Sequence, residues 1–213
     1  MTDLISLLGS DYPPALFAGM LVNFQIALIA LVLGLALGAP AVLMLVAGRG
    51  WQRLVRPVIG LMRAAPTFVV MFFLLNIIPR QLTLFGLDLS LTPEWIVALS
   101  LVPYAASYVA DNGKTAILGL RNGSREEALL FLPNLVRAFI VLGMSSSAGV
   151  AIGVNEGVAV VLREAEKYAE IGDQMLVFAI GVLAFGIVFQ LGFAAVRLMV
   201  RLLTAPKEAA HSG

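Results

Sequence analysis

Residues 16–46 of the chain read LFAGMLVNFQIALIALVLGLALGAPAVLMLV, and this run contains no charged side chain. About 20 apolar residues are enough to cross the hydrocarbon core of a bilayer, so the run predicts a membrane-spanning helix with length to spare for tilt. Gly34 and Gly38 have the small-xxx-small spacing that lets two helices approach closely. Such spacings are common in membrane helices, and this general interpretation is favoured over a specific dimer face.

The composition of the whole chain agrees with this first helix. Of the 213 residues, 60% are hydrophobic and 13% are charged, and the mean hydropathy is +0.96. A soluble domain averages about 25% charged residues, so this chain is too apolar to cover a surface that faces water. Cysteine is absent, and the one histidine, His211, lies in a polar tail. Disulfides and thiolate metal sites are therefore excluded, and no cofactor or metal is predicted.

Four more apolar stretches follow, at about residues 64–78, 95–110, 133–153 and 175–200. They predict an all-α polytopic membrane protein of about five transmembrane helices, in a single domain over residues 1–213. Residues 111–132 are expected to be a loop, and residues 154–174 to contain a short amphipathic helix. The hydroxyls and proline of the third span indicate that it faces protein or a wet cavity. Small and polar residues in the fourth span indicate a helix interface or a substrate path.

The basic residues predict the orientation of the five spans. With the N-terminus outside, 11 of the 14 fall on the cytoplasmic side, namely Arg49, Arg53, Arg56, Arg63, Lys114, Arg121, Arg125, Arg137, Arg197, Arg201 and Lys207. Only Arg80, Arg163 and Lys167 fall outside. This distribution follows the positive-inside rule and places the C-terminus in the cytoplasm.

No catalytic motif is visible. The zinc-protease pattern HExxH, the hydrolase pattern GxSxG and the phosphate-binding GxxxxGK[ST] are all absent. Glu126 and Glu127 are adjacent on the chain and close to Arg121 and Arg125, which is typical of a solvated charge cluster rather than of a catalytic pair.

Five segments, taken in order, resemble the permease subunits of ATP-binding-cassette importers for polar amino acids, and the resemblance covers nearly the whole chain. These segments are GMLVNFQIALIALVLGLALG (19–38), RAAPTFVVMFFL (63–74), SYVADNGKTAI (107–117), GSREEA (123–128) and LPNLVRAF (132–139). In the third segment, Asp111 and Lys114 stand where the family has glutamate and arginine.

The resemblance implies a transporter subunit and not an enzyme, working by alternating access in a bacterial inner membrane. Implied partners are a second permease subunit in a homo- or heterodimer, ATP-binding subunits, an extracytoplasmic substrate-binding protein and membrane lipid, without nucleic acid. The rival interpretation is a degenerate, non-transporting scaffold subunit that pairs with a functional sister, and an ATP-independent channel or carrier is a third. The residues expected along a substrate path are Asn76, Tyr104, Ser107, Tyr108, Ser145, Ser146 and Asn155.

The segment GSREEA corresponds to the start of the loop with which family members contact their ATPase. The residues implied in this coupling loop are Gly123, Ser124, Arg125, Glu126, Glu127 and Ala128. Compared with the family, about a dozen residues are missing before Leu132–Pro133. Ser124 and Glu127 fit the S-x-x-E capping box that starts a helix. Only one exposed turn then remains, so the hypothesis is that this loop couples weakly or not at all to an ATPase. The sister subunit or another cytoplasmic segment, such as residues 49–56, would then make the contact.

Overall fold

In a computed structural model of the chain, residues 6–7, 9–78, 83–84, 87–88 and 91–204 are described, the two short strands by their backbone alone. The elements are α1 (Tyr12–Ala47), α2 (Arg49–Ala64), α3 (Thr67–Ile77), β1 (Thr83–Leu84), β2 (Leu87–Asp88), α4 (Pro93–Arg121), α5 (Arg125–Leu129), α6 (Phe131–Ser145), a 3₁₀ helix (Ser146–Ile152), α7 (Gly157–Ala165) and α8 (Ile171–Thr204). The predictions made for Arg80, Lys207 and His211 fall outside the described residues.

Helices α1 and α4 make the most extensive contact of any two helices in the described residues. A Cβ atom placed on Gly34 would lie 2.4 Å from the Cβ of Ala105, and one placed on Gly38 would lie 2.7 Å from the Cβ of Val109. Only glycine therefore fits at these two positions of α1. The small-xxx-small spacing serves a contact within the chain, so Gly34 and Gly38 are not available as a dimer face.

Helix α4 is the centre of the fold and is longer than predicted. It packs against α1, α3, α6 and the 3₁₀ helix, which confirms that the third span faces protein. The predicted loop 111–132 is wrong over its first part, because α4 continues to Arg121. Gly113 and Ala116 extend the buried face that begins at Ala110, so packing on α1 continues the helix past the polar Asp111 and Asn112.

The predicted second span, 64–78, contains α3, and a sharp bend separates α3 from α2 at the predicted start of that span. Helix α2 ends at Ala64, and α3 begins at Thr67 after a bend of 93°. Pro66 explains the break, because it lacks an amide hydrogen and restricts Ala65 to the extended conformation that the structure shows (φ −65°, ψ 119°). A second turn joins α1 to α2 at Gly48, whose φ of 153° lies in the region that favours glycine.

The last part of the chain closes the fold on the other side of α1. Helix α6 continues as the 3₁₀ helix, α7 confirms the predicted short amphipathic helix, and β1 and β2 form a small antiparallel hairpin between α3 and α4. Within the described residues, three stretches are long and apolar enough to cross a membrane, and the bent α2–α3 pair is a fourth candidate. Helix α4, which contains the predicted third span 95–110, is not among these candidates. The predicted all-α polytopic membrane class is confirmed.

Candidate functional site

A cluster of polar side chains, fully buried except for the half-buried Ser147, joins α1, the 3₁₀ helix and α7. We call Asn23, Ser146, Ser147 and Glu156 the polar node. Asn23 is 1% exposed, and Ser146 and Glu156 are 0% exposed. The Asn23 amide nitrogen lies 2.9 Å from Glu156 Oε2, 2.9 Å from Ser146 Oγ and 3.3 Å from Ser147 Oγ. In return, Asn23 Oδ1 accepts a hydrogen bond of 3.1 Å from the Gly157 backbone amide.

Glu156 is held in place because it is the N-cap residue of α7. Its carboxylate accepts hydrogen bonds of 3.0 Å from the backbone amides of Val158 and Ala159, which would otherwise be unpaired at the start of a helix. Glu156 follows the fourth predicted span and lies outside the membrane-spanning helices. Burial raises the pKa of its carboxyl group above the usual value, although the hydrogen bonds from Val158, Asn23 and Ala159 lower it.

The polar node depends on a close approach of α1 and α7. A Cβ atom on Gly19 would lie 2.9 Å from both Cα and N of Gly157, and one on Gly157 would lie 2.4 Å from Cζ of Phe185. The two glycines therefore bring the start of α7 against α1, one turn away from Asn23.

Beside the polar node is an open cavity between α1 and α7, which we call the mouth cavity. It has a volume of about 510 Å³ and carries Asn155, Arg163, Glu164 and Lys167. Arg163 donates hydrogen bonds to Asn155 Oδ1 and to the Ala159 carbonyl oxygen. Lys167 Nζ lies 2.6 Å from Glu164 Oε2, and this hydrogen bond, with the charge of Glu164, raises the pKa of Lys167. Cationic and anionic groups therefore face one cavity.

The predicted substrate-path residues do not form a single site. Asn155 lines the mouth cavity and Ser146 belongs to the polar node, while Ser145 is half-buried at the end of α6. Asn76 is exposed on α3 and donates only to the Phe72 carbonyl oxygen among its described neighbours, at 2.7 Å.

The tyrosines of α4 form a separate group. The rings of Tyr104 and Tyr108 are half-buried, with centroids 6.0 Å apart. The buried Ser107 hydroxyl donates to the Tyr104 carbonyl oxygen at 2.9 Å, so it is satisfied within its own helix.

Sequence reasoning missed Asn23 and Glu156, the two residues that make the most contacts in the polar node. Both carried a signal. Asn23 is a strongly polar side chain inside the apolar run 16–46, and Glu156 directly precedes the short apolar helix α7 as an acidic N-cap residue. Residues 123 positions or more apart cannot be paired by periodicity, and so their contact was not foreseen.

The predicted coupling loop is compact in the structure. Helix α4 ends at Arg121, and Gly123 follows its C-cap residue Asn122 with a φ of 84°. The Ser124 amide donates to the Gly119 carbonyl oxygen at 2.8 Å, which completes a glycine-terminated helix end. Helix α5 has five residues. The capping box is wrong: Ser124 is the N-cap residue of α5 but makes no side-chain hydrogen bond there. The Glu127 side chain lies over Gly119 instead.

Two further polar contacts hold this same end of the molecule. Arg121 donates to the Val46 carbonyl oxygen at 3.1 Å, which ties the end of α4 to the end of α1. Asn134 of α6 donates to Asn112 of α4 at 2.8 Å. The short loop therefore begins and ends on helices that are fixed to the core.

Two solved structures share the fold of this chain. A chain of an amino acid ABC transporter crystallised with histidines superposes with a TM-score of 0.71 and 17% identity, covering 95% of this chain and 99% of that one. The fold is that of an ABC transporter membrane subunit. A chain of the MetNI methionine ABC transporter, in an inward facing conformation, shares this fold with a TM-score of 0.63 and 22% identity, over 89% of this chain and 96% of that one. Neither a protein-family model nor a curated protein sequence matches the chain.

Proposed function

We propose that this chain is the membrane-spanning permease subunit of an ABC importer for amino acids or similar small polar solutes. The observation that carries the proposal is the permease fold, shared over 95% of this chain with a structure of an amino acid ABC transporter. The chain would act as one permease domain in a bacterial inner membrane, with its N-terminus outside and its C-terminus in the cytoplasm, following the distribution of its basic residues.

The mouth cavity supports a small zwitterionic solute. An amino acid carries a carboxylate and an ammonium group, and the mouth cavity presents Arg163 and Lys167 for the first and Glu164 for the second. In the proposed orientation this cavity opens to the outside, where an extracytoplasmic binding protein would deliver solute. The path would continue past the polar node and the tyrosines of α4, whose hydroxyls and amides provide hydrogen bonds without a net charge.

Transport would proceed by alternating access, with the permease and a second permease subunit moving around the solute. ATP hydrolysis would occur in separate ATP-binding subunits, so no residue of this chain has a catalytic role. The coupling loop, Gly123–Ala128, is the proposed contact with an ATPase. Its exposed part is short, because α5 has five residues and Glu127 packs on Gly119. We therefore expect weak coupling through this loop.

The function is tested by purifying the chain in mild detergent with its partners and reconstituting the complex into proteoliposomes. ATP-dependent uptake of labelled amino acids is expected, and it should fall when Arg163 is replaced by glutamine. Complexes that contain an ATPase but give no ATP-dependent uptake of any amino acid would contradict the solute class. Purification without any ATPase, together with uptake that is independent of ATP, would overturn the importer assignment.

The contact of the coupling loop is tested by crosslinking from a cysteine in the Arg125→Cys variant to the co-purified ATPase. Weak coupling predicts inefficient crosslinks that do not change with nucleotide. Arg137→Cys, on the exposed side of α6, is the matched control. Efficient and nucleotide-sensitive crosslinks from position 125 would show that the compact loop couples normally.

A further inference from the structure

Helix α2 is amphipathic, and its apolar side is not covered by the described part of the protein. Trp51 is 53% exposed, Leu54 67%, Val58 55% and Leu61 74%. These residues recur at intervals of three and four, so they share one side of the helix. The opposite side carries exposed arginines at positions 49, 53, 56 and 63. An amphipathic helix with arginines on one side and tryptophan and leucine on the other is typical of a membrane interface.

The position of α2 in the fold agrees with an interfacial helix. The bend of 93° sets α2 across the direction of α3, so α2 runs close to the membrane plane when α3 runs along the membrane normal. Both ends of α2 are fixed in this position. Gln52 donates to the Leu45 carbonyl oxygen of α1 at 2.8 Å, and Arg63 forms an ion pair with Asp111 of α4.

Two cavities lie on opposite sides of α2. The first has a volume of about 480 Å³ and is cationic, being lined by Arg49, Gln52, Arg53, Arg56 and Pro57. The second has a volume of about 440 Å³ and is apolar. Its lining includes Leu37, Pro40 and Met44 of α1 with Trp51, Leu54 and Val58 of α2. Together the two cavities match a phospholipid, which has an anionic phosphate and apolar acyl chains.

The arginines of the cationic cavity are available to a ligand. Arg49 and Arg53 have no hydrogen-bond or ion-pair partner among the residues that the structure describes. Arg56 donates to Gln52 Oε1 at 2.8 Å, a neutral acceptor that leaves its charge uncompensated. The nearby carboxylate of Asp111 is already paired with Arg63. A phosphate would therefore receive charge-assisted hydrogen bonds without displacing an existing ion pair.

We propose that α2 is a binding site for anionic phospholipid, with the phosphate held by Arg49, Arg53 and Arg56 and an acyl chain in the apolar cavity between α1 and α2. This site is separate from the mouth cavity and from the coupling loop. The inference does not depend on transport, because it rests on the charge, exposure and direction of α2 alone.

The experiment is native mass spectrometry of the purified chain in detergent with equal amounts of phosphatidylglycerol and phosphatidylcholine. The wild type is expected to retain phosphatidylglycerol preferentially. Each arginine near an anionic headgroup contributes about fivefold, so the preference of the Arg49→Gln/Arg53→Gln variant should fall by about 25-fold. Arg197→Gln/Arg201→Gln is the matched control, since it removes two exposed arginines with the same spacing from the end of α8, and its preference should stay at the wild-type level.

Two further arms identify the ligand. Inorganic phosphate at a concentration above that of the lipid should not displace phosphatidylglycerol, because the acyl chain adds contacts that phosphate lacks. In the second arm, Leu54→Gln should weaken lipid retention although Arg49 and Arg53 are both still present. Equal losses in the two double variants, displacement by phosphate alone, or the absence of a preference in the wild type would each overturn the proposal. So would efficient crosslinking of an Arg53→Cys variant to an ATPase in the membrane, which would assign α2 to a protein partner.

Discussion

Replacing Asn23 by alanine should destabilise the protein strongly, because it removes the side chain at the centre of the polar node. The Asn23 amide nitrogen has two hydrogens, and two acceptors lie at 2.9 Å, Glu156 Oε2 and Ser146 Oγ. Alanine removes both bonds and leaves the buried Gly157 amide, which donates to Asn23 Oδ1, without its acceptor. A hydrogen bond to a charged group contributes about 1.5–3 kcal/mol and each neutral one about 1 kcal/mol. The expected loss is roughly 3–5 kcal/mol.

The assay is reversible unfolding by SDS or urea in detergent micelles, followed by tryptophan fluorescence. Asn76→Ala is the control, since Asn76 is exposed and bonds only to the Phe72 carbonyl oxygen among the described residues; its loss should stay within about 0.5 kcal/mol. A double-mutant cycle with Glu156→Gln should give a coupling free energy of about 1 kcal/mol or more. A loss below about 1 kcal/mol for Asn23→Ala, or one equal to that of Asn76→Ala, would refute the reasoning.

Three other predictions concern the same fold. Burial raises the pKa of Glu156 in the folded state above its usual value of 4.5. The unfolding free energy should therefore fall as the pH rises from 4.5 through the folded-state pKa. Glu156→Gln should remove this pH dependence, and an unchanged pH dependence in that variant would contradict the prediction. Gly149→Leu should cost about 1–3 kcal/mol in unfolding, because a Cβ there lies 3.0–3.1 Å from Val154 and Val97, while Gly186→Leu, in open space, should cost little. A topology reporter after Arg201 should report cytoplasm and one at Thr83 the outside; a cytoplasmic signal at Thr83 would contradict the orientation.

The sequence predicted the helices correctly where they are long apolar runs. The first and last spans, predicted as 16–46 and 175–200, lie inside Tyr12–Ala47 and Ile171–Thr204. The polar residues after Ala110 were a poor guide to where α4 ends, because the small residues Gly113 and Ala116 keep one face of that helix apolar. The break at Pro66 was visible as a proline, but its angle depends on how α2 packs against α1 and α4.

The site was less predictable than the fold. Ser146 was identified because small and polar residues cluster in the fourth span, and its burial against Asn23 agrees with that reasoning. The other two main members of the polar node, Asn23 and Glu156, are distant from each other in sequence. Each is a polar residue in a segment whose sequence suggests a different role. Asn23 lies in a membrane span, and Glu156 lies in an acidic connection. The close approach of Gly19 to Gly157 helps to bring them together.

In the proposed importer, the contacts of α1 would limit where the motion of alternating access can occur. Along its length α1 is fixed to α7 through Asn23, to α4 through Gly34 and Gly38, and to the end of α4 through the Val46 carbonyl oxygen. Helices whose backbones are in close contact cannot slide past one another without first separating, because a close-packed protein interior cannot deform continuously. We therefore expect the helices α1, α4 and α7 to move as one body. In the proposed importer, the change of access must then fall between this body and a partner subunit, or at the bend between α2 and α3, where Pro66 already interrupts the helix.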